Sequence, residues 1–417
     1  MESLRIGLFT DDFFPESGGI GRSLQAQLAE LTKAGHDVTL FAPRAHFHAP
    51  EIGKYMKLNN VRIPGTPSYL NILWPSLGRV RKLAKEYPLD IVHTQNERGS
   101  AYVGRALAHL MDVPHVHTFH TNFPGMHESR PFAAFLVSAL YLNGLAPLLL
   151  KQVFPGDLGV KLRRSSLPPS IGSRDFRALA RFAAQTSAFT SPAAFIAESI
   201  VKASGGVLAD RAHVVPNGYY DSFHQAVRKR PRNGVVRFLS SGRLDPEKRV
   251  DAVIEAYEHL ADENTELVIV GDGQQFSTLK RRAAEITTGR ILFTGHIGDL
   301  GKLSQEMADA DVFILASYHY DVQPMVLLEA AAAGVPILYC DERLTTGVTP
   351  QNALMTDPSI ESLAAGMAVL AADAVRREEM GAAGRELAQS LTAAKMAELY
   401  VSVYRDAIER HPRKLGA

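Results

Sequence analysis

The chain holds a single cysteine, Cys340, among 417 residues. One thiol excludes an intramolecular disulfide and suits a reducing cytoplasm. Charge of one sign is also missing. Lys and Arg number 45 against 44 Asp and Glu, a formal net charge of +1, so no global field draws the chain to nucleic acid. The opening residues MESLRIGLFTDDFF lack a basic stretch followed by a signal-like apolar run, and a cytoplasmic location is expected. There is no Cys–His spacing of a zinc site and no G-x-x-x-x-G-K phosphate loop. No internal repeat or low-complexity block stands out. What is present, 46% hydrophobic and 21% charged residues, is the composition of a globular enzyme. The length exceeds one ordinary core, so two domains are expected.

The most informative stretch runs from 311 to 339, DVFILASYHYDVQPMVLLEAAAAGVPILY. Residues 311–317 are a short apolar run and predict a buried strand. A loop, YHYDVQP, follows. Pro324 opens a helix at the position where a missing N–H costs least. Gly334 ends it, and VPILY predicts the next buried strand. Such a unit belongs to a parallel α/β sheet, whose ligands bind at the carboxyl ends of the strands. Glu329 is a lone carboxylate in an otherwise apolar helix, where burial is costly. It either caps a loop or meets a basic side chain, or it works with Asp321, eight residues earlier, to hold sugar hydroxyls.

Residues 235–251, VVRFLSSGRLDPEKRVD, predict strand, loop and helix start. Arg243 and Lys248 flank the loop beside a helix N-terminus. They are either two surface cations or a clamp for a diphosphate. TELVIVGDGQ (265–274) and GRILFTGHIGDLGKL (289–303) predict two more strands with loops at their ends.

The first half opens with a strand at 4–10, the loop DDFFPESGGIG, an amphipathic helix SLQAQLAELTKAG and a second strand HDVTLFAP. Gly18 and Gly19 have no Cβ and let the backbone approach a phosphate or sugar, or simply make a flexible turn. A strand at 90–95 ends in polar residues. A second strand, VPHVHTFHT (113–121), carries His117, His120 and Thr121 at its end, with His93 similarly placed. His117 and His120 are three residues apart and face opposite sides of a strand, so they do not read as a metal site.

Residues 131–150 carry no charge, but Asn143, Gly144 and Pro147 break the run, so no membrane span is expected. Residues 151–181 then hold seven Lys and Arg (Lys151, Lys161, Arg163, Arg164, Arg174, Arg177 and Arg181) against Asp157 and Asp175, a net charge of +5. Two readings stand side by side: docking on an anionic membrane face, or a buried helix followed by a solvated charged face. HQAVRKRPRNG predicts a linker, and AAKMAELYVSVYRDAIERH has apolar residues at helical spacing.

Taken together, these segments resemble the retaining glycosyltransferases of family four. The resemblance lies in D321-x7-E329, which is similar to that family's Glu-x7-Glu with Asp321 one methylene shorter. It also lies in G-R-L-x-x-x-K at 242–248, in HTFHT at 117–121, and in HVVPNGY at 213–219. A loop like D-x-F-x-P-x-x-G-G, read here at Asp12, Pro15, Gly18 and Gly19, adds to it.

The resemblance implies an α/β fold, two Rossmann-like (GT-B) domains facing across a cleft, with a C-terminal helix that crosses back onto the first. The expected boundaries are 1–218 plus the helix 392–412 for the acceptor domain, 219–234 for the linker and 235–391 for the nucleotide-sugar domain. His120, Arg243, Lys248 and Asp321 are the expected catalytic set. Gly18, Gly19, Arg243, Lys248, Gly271, Ile297, Asp321, Val322, Gln323, Pro324, Met325, Val326 and Glu329 are expected to hold the donor. No metal or cofactor is expected. The implied reaction moves a hexose from a UDP-glucose-like or GDP-mannose-like donor to a lipid or lipid-linked hydroxyl, with HTFHT most like the lipid-glycosylating members. A soluble sugar or small-molecule acceptor, a nucleotide-sugar epimerase or phosphorylase, and a non-catalytic sensor are the alternatives. The implied partners are the donor, the acceptor and an anionic membrane surface, met from the cytoplasmic side.

Overall fold

The computed structural model describes residues 2–11, 18–43, 53–62, 71–129, 160–230, 234–260 and 262–411. The chain divides into two compact units, Met1–Asn217 with Ala393–Ala417, and Gly218–Thr392. The uncharged segment 131–150, Lys151 and Asp157 of the basic segment, and Asp12 and Pro15 of the first loop lie outside the described residues.

The first unit is built on seven parallel strands: β1 (Arg5–Phe9), β2 (Asp37–Pro43), β3 (Lys54–Leu58), β6 (Ile91–Thr94), β7 (His115–Thr118), β8 (Ala188–Ser191) and β9 (Ala212–Val214). An antiparallel pair, β4 (Asn60–Arg62) and β5 (Asn71–Leu73), stands apart. The sheet order is β3-β2-β1-β6-β7-β8-β9. Every residue of β6, β7 and β8 is buried, as expected of central parallel strands covered on both faces. Helices α1 (Gly18–Lys33), α2 (Leu77–Glu86), α3 (Gly99–Met111), α4 (Phe123–Ser129), α5 (Ile171–Ala183) and α6 (Ala194–Ala203) follow the strands. The C-terminal helix Ala393–Arg410 belongs to this unit. It buries Met396, Ala397, Tyr400, Val403, Tyr404 and Ala407, a stripe at the 3.6-residue period of an amphipathic helix.

The second unit has six parallel strands: β10 (Val236–Ser241), β11 (Thr265–Val270), β12 (Arg290–Gly295), β13 (Val312–Leu315), β14 (Ile337–Tyr339) and β15 (Ala353–Met355), in the order β12-β11-β10-β13-β14-β15. Successive side chains point to opposite faces of a strand. Phe238, Leu267 and Ile314 accordingly fill one core, and Leu239, Val268 and Phe313 the other. The chain runs outward from β10 to β12, then returns to β13 on β10's other side. Order reverses there, and the carboxyl ends of β10 and β13 flank the crevice where open α/β sheets take ligands.

Two expectations are corrected. The linker reading fails at its start: Tyr219 is 2% exposed and Phe223 fully buried within the second unit's core, and α7 (Asp221–Gln225) carries the latter. Polar neighbours such as His224 and Gln225 hid these two aromatic anchors. The strand expected over 113–121 is only β7, four residues long, so His117 lies inside the sheet and His120 beyond it.

Candidate active site

In the second unit, the strand-end loops converge through close backbone packing. Gly271 has φ +141°, and a Cβ there would stand 1.8 Å from Gly242 O. A Cβ on Gly273 would meet the Leu244 backbone at 2.7 Å. Leu244 N–H donates to Asp272 O at 2.9 Å, and Gln275 N–H to Leu244 O at 2.9 Å. Only glycine fits such an approach, so the loops after β10 and β11 are locked together.

The loop after β10 carries Arg243 and then a 3-10 turn, Pro246–Lys248, before α8 (Val250–Leu260). The loop after β13 carries Ser317, Tyr320 and Asp321. Lys248 Nζ donates to Asp321 Oδ1 at 2.6 Å, and Ser317 Oγ to Asp321 Oδ2 at 2.6 Å. Burial pushes the Asp321 carboxyl up, but Lys248 and these two hydrogen bonds more than offset it and hold it below its ordinary value. Lys248 Nζ also lies 5.7 Å from the centre of the Tyr320 ring. Burial, reinforced by Glu247, pushes the Tyr320 hydroxyl up to about 12. Arg243 bonds Asp245, and its second Nη reaches Glu247 Oε1 at 3.2 Å. Its side chain is 41% exposed. Both cations of the expected clamp therefore stand at the ligand edge, each held by carboxylates.

Pro324 is the N-cap of α11 (Met325–Ala333), and Gly334 closes that helix at φ +72°. All nine residues of α11 are buried, Glu329 at 1% exposure. Val322, Gln323, Met325 and Val326 are buried in the loop and first turn. Proline contributes no N–H, so the helix start offers the N–H groups of Met325 and Val326, while that of Leu327 turns back to Pro324 O at 3.2 Å. Gly271 and the half-buried Ile297 lie in the loops after β11 and β12. The expected donor residues from Arg243 to Glu329 thus gather at one edge of one sheet.

His120, Gly18 and Gly19 belong to the first unit. Gly18, at φ +65°, and Gly19 are the first residues of α1. The three strand histidines do not form one ligand-facing set. His93 and His117 are fully buried, and His120 is half-buried just past β7. Thr94 Oγ1 lies 2.7 Å from His117 Nδ1 and 2.8 Å from His115 Nε2. Burial depresses His93, His115 and His117, the last to about 3. They are neutral structural residues.

Asp11 escaped the sequence reading. Counting back from Gly18 and Gly19, the first-loop pattern places its carboxylate on Asp11 rather than Asp12. Asp11 is fully buried at the end of β1 and accepts the N–H groups of Leu73 at 2.6 Å and Ser100 at 2.8 Å. Burial raises its carboxyl to about 6. Its role is to tie the β5 end and the α3 start to the sheet. Among the described residues one group could hold a metal: His319, Asp341 and Glu342, with ligand atoms within 4.8 Å of one another. Arg343 occupies that Asp341 carboxylate at 3.1 Å, and His319 Nε2 lies 2.9 Å from Glu342 Oε1.

Comparison with known proteins agrees with this architecture. Residues 17–223 match the model described as Glycosyltransferase Family 4, and 223–387 that of Glycosyl transferases group 1. The chain is 26% identical over 353 residues to alpha-monoglucosyldiacylglycerol synthase of Streptococcus pneumoniae, covering 80% of this chain and 70% of that protein. It is 25% identical over 430 residues to glycogen synthase of Mycobacterium tuberculosis, covering 95% and 94%. Its fold is similar to that of Anabaena HepE, crystallised with UDP and glucose, at TM-score 0.68 and 15% identity over 96% of this chain and 99% of that one. The two family matches meet at residue 223 and together span 17–387, so the chain belongs to the family-four glycosyltransferases of the GT-B fold.

Proposed function

We propose that the protein is a retaining, metal-independent hexosyltransferase that moves a hexose from a nucleotide-diphosphate sugar to a lipid hydroxyl. The Lys248–Asp321 pair at 2.6 Å, with Arg243 in the neighbouring loop, is the observation that carries the donor half. An incoming diphosphate competes with the carboxylates for both cations. Lys248 and Arg243 then stabilise the charge that develops on the leaving diphosphate, the work a bound magnesium ion does in other transferases. Glu329, fixed on α11, takes ribose hydroxyls. Asp321, released from Lys248, takes hydroxyls of the sugar, and His120 contacts the sugar near the reacting carbon. Gly271 and the backbone at Ile297 border the nucleotide.

The bond between the anomeric carbon and phosphate breaks first. The acceptor oxygen enters on the face the diphosphate leaves, and its proton passes to a diphosphate oxygen. No protein base is needed, and the configuration at the anomeric carbon is kept. Similarity to an alpha-monoglucosyldiacylglycerol synthase supports a lipid acceptor and glucose as the sugar. Similarity to a glycogen synthase supports the second reading, a soluble carbohydrate acceptor.

The test is a transfer assay with UDP-glucose and GDP-mannose, diacylglycerol vesicles or maltooligosaccharides as acceptors, and NMR of the product anomer. An α-linked glycolipid formed in the presence of EDTA is expected. An inverted anomer, activity restored only by magnesium or manganese, or transfer only to oligosaccharide overturns the corresponding part.

A further inference from the structure

Behind His120 lies a buried chain of hydrogen bonds that the donor chemistry does not itself require. His120 Nε2 is 2.7 Å from Gln95 Oε1. Gln95 Nε2 donates to Gln27 Oε1 at 3.0 Å. Gln27 Nε2 donates to the Tyr404 hydroxyl at 3.0 Å, and that hydroxyl lies 2.7 Å from His93 Nδ1. His93 Nε2 reaches Thr118 Oγ1 at 2.7 Å. Gln27, Gln95, His93 and Tyr404 are each at most 2% exposed. The members come from α1, β6 and its end, β7 and the C-terminal helix, so four elements of the first unit meet in one polar line.

Donor and acceptor bookkeeping gives the line a direction. A glutamine amide has one acceptor end and one donor end. Gln95 spends its NH2 on Gln27 Oε1, so its oxygen faces His120 and can only accept. His120 must then donate from Nε2, which places the lone pair of the neutral ring on Nδ1. Gln27 is fixed the same way: its oxygen accepts from Gln95, and its NH2 points to Tyr404. The Tyr404 hydroxyl, already accepting from Gln27, donates to His93 Nδ1. His93 therefore carries its own proton on Nε2, toward Thr118. The two amide groups also border the His93 ring, Gln27 Nε2 at 3.2 Å and Gln95 Nε2 at 3.4 Å from Nδ1, the latter also at 3.3 Å from Nε2, and buried amides of this kind are costly unless satisfied.

We propose that Gln95 is the positioning residue for His120: it fixes the Nε2–H tautomer and the ring orientation with which His120 meets the donor sugar, while Gln27 and Tyr404 hold Gln95 in place. This rests on the placement of His120 at the sugar proposed above. The C-terminal helix, through Tyr404, thereby serves the reaction and not only the packing of the first unit. A ring that turns or changes tautomer no longer presents the same atom to the sugar, and misplacement of about 1 Å costs on the order of 100-fold in rate.

The experiment uses the full chain labelled with 15N-histidine, with His120→Asn to assign the signal, alongside transfer kinetics. In the wild type the His120 nitrogens report the Nε2–H tautomer. Gln95→Leu is expected to give exchange-averaged tautomers and kcat lower by about 10- to 100-fold, with donor KM changed less than threefold. Gln95→Glu keeps an acceptor oxygen, adds charge, and stands in where Gln95→Leu does not fold. It is expected to keep the Nε2–H bond and raise the His120 pKa. An unchanged His120 spectrum in both variants overturns the proposal, as does unchanged kcat in a Gln95→Leu protein when His120→Asn is inactive. Wild-type transfer by His120→Asn overturns the sugar contact of His120 instead, and the nitrogen spectra still decide the Gln95 bond.

Discussion

Lys248 and Asp321, 73 residues apart in sequence, meet at 2.6 Å and join the loops after β10 and β13. Those loops end the two strands that flank the order reversal of the second sheet. The pair is largely buried, at 18% and 13% side-chain exposure. An ion pair in such a place needs good geometry and further hydrogen bonds to offset desolvation, and Ser317 supplies one. The arrangement holds the Lys248 side chain in place between the two loops.

Removing either cation is expected to disable transfer and leave the fold intact. Lys248→Ala and Arg243→Ala should each lower kcat by about 100- to 1,000-fold, the usual cost of losing one donor to a developing oxyanion. Steady-state rates with circular dichroism and melting curves check this. Near-wild-type turnover in both variants sinks the diphosphate clamp.

Glu329 and Asp321 should differ in what they cost. Glu329 projects from a helix whose nine residues are all buried, so its position is fixed. Asp321 sits in a loop and must leave Lys248 to take a sugar hydroxyl. Glu329→Gln is therefore expected to weaken donor binding, measured by calorimetry, more than Asp321→Asn does. The opposite ranking shows that the two roles are reversed. Faster transfer by Asp321→Glu shows that the shorter side chain under-reaches.

Acid should loosen the first unit before the second. Folding depresses His93, His115 and His117, the last to about 3. A group with a depressed folded pKa binds fewer protons folded than unfolded, so stability is full above about 6.5 and falls as pH drops below it. Each such histidine adds at most about 1.4 kcal/mol per pH unit to that slope. Asp11 opposes this: its carboxyl, raised to about 6, favours the folded state as pH falls from there toward 4. Denaturant melts of the full chain between pH 7.5 and 5 should show falling stability, with a shallower slope in His117→Gln. An identical slope in that variant rules out His117 as a contributor.

The two α/β units were legible because parallel strands buried on both faces read as short apolar runs. Segment 311–339 folds as its pattern indicates, with Pro324 at the cap and Gly334 in the left-handed turn. The clustering of the second unit's candidate residues was legible for a related reason: they lie in the loops, or on the helix, that follow strand ends. The hydrogen-bonded line from His120 to Tyr404 was not legible. Its members are scattered from 27 to 404, and a glutamine that satisfies another glutamine leaves no local pattern. Asp11 was missed because two aspartates stand side by side and the match was set on the second, although the spacing back from Gly18 and Gly19 selects the first. The linker was misjudged because Tyr219 and Phe223 are two aromatic anchors in a polar stretch, too few to set a period.

The acceptor is the last expectation, and part of its sequence basis shifts. Of the basic residues at 151–181, Arg177 is half-buried and bonded to backbone: its Nη1 donates to Arg163 O at 2.7 Å and Ala203 O at 2.8 Å. Lys161, Arg163, Arg164, Arg174 and Arg181 are exposed. Among the described residues no helix is long and apolar enough to cross a membrane. Each cation near an anionic leaflet adds about 1 kcal/mol of attraction, screened within a Debye length. Arg163→Glu with Arg164→Glu is therefore expected to reduce sedimentation with phosphatidylglycerol vesicles at low salt by at least tenfold. It should also slow transfer to vesicle-borne lipid without changing donor binding. If the wild type ignores anionic vesicles and the double variant transfers normally, the acceptor is a soluble sugar or small molecule, and the donor chemistry at Lys248 and Asp321 is unaffected.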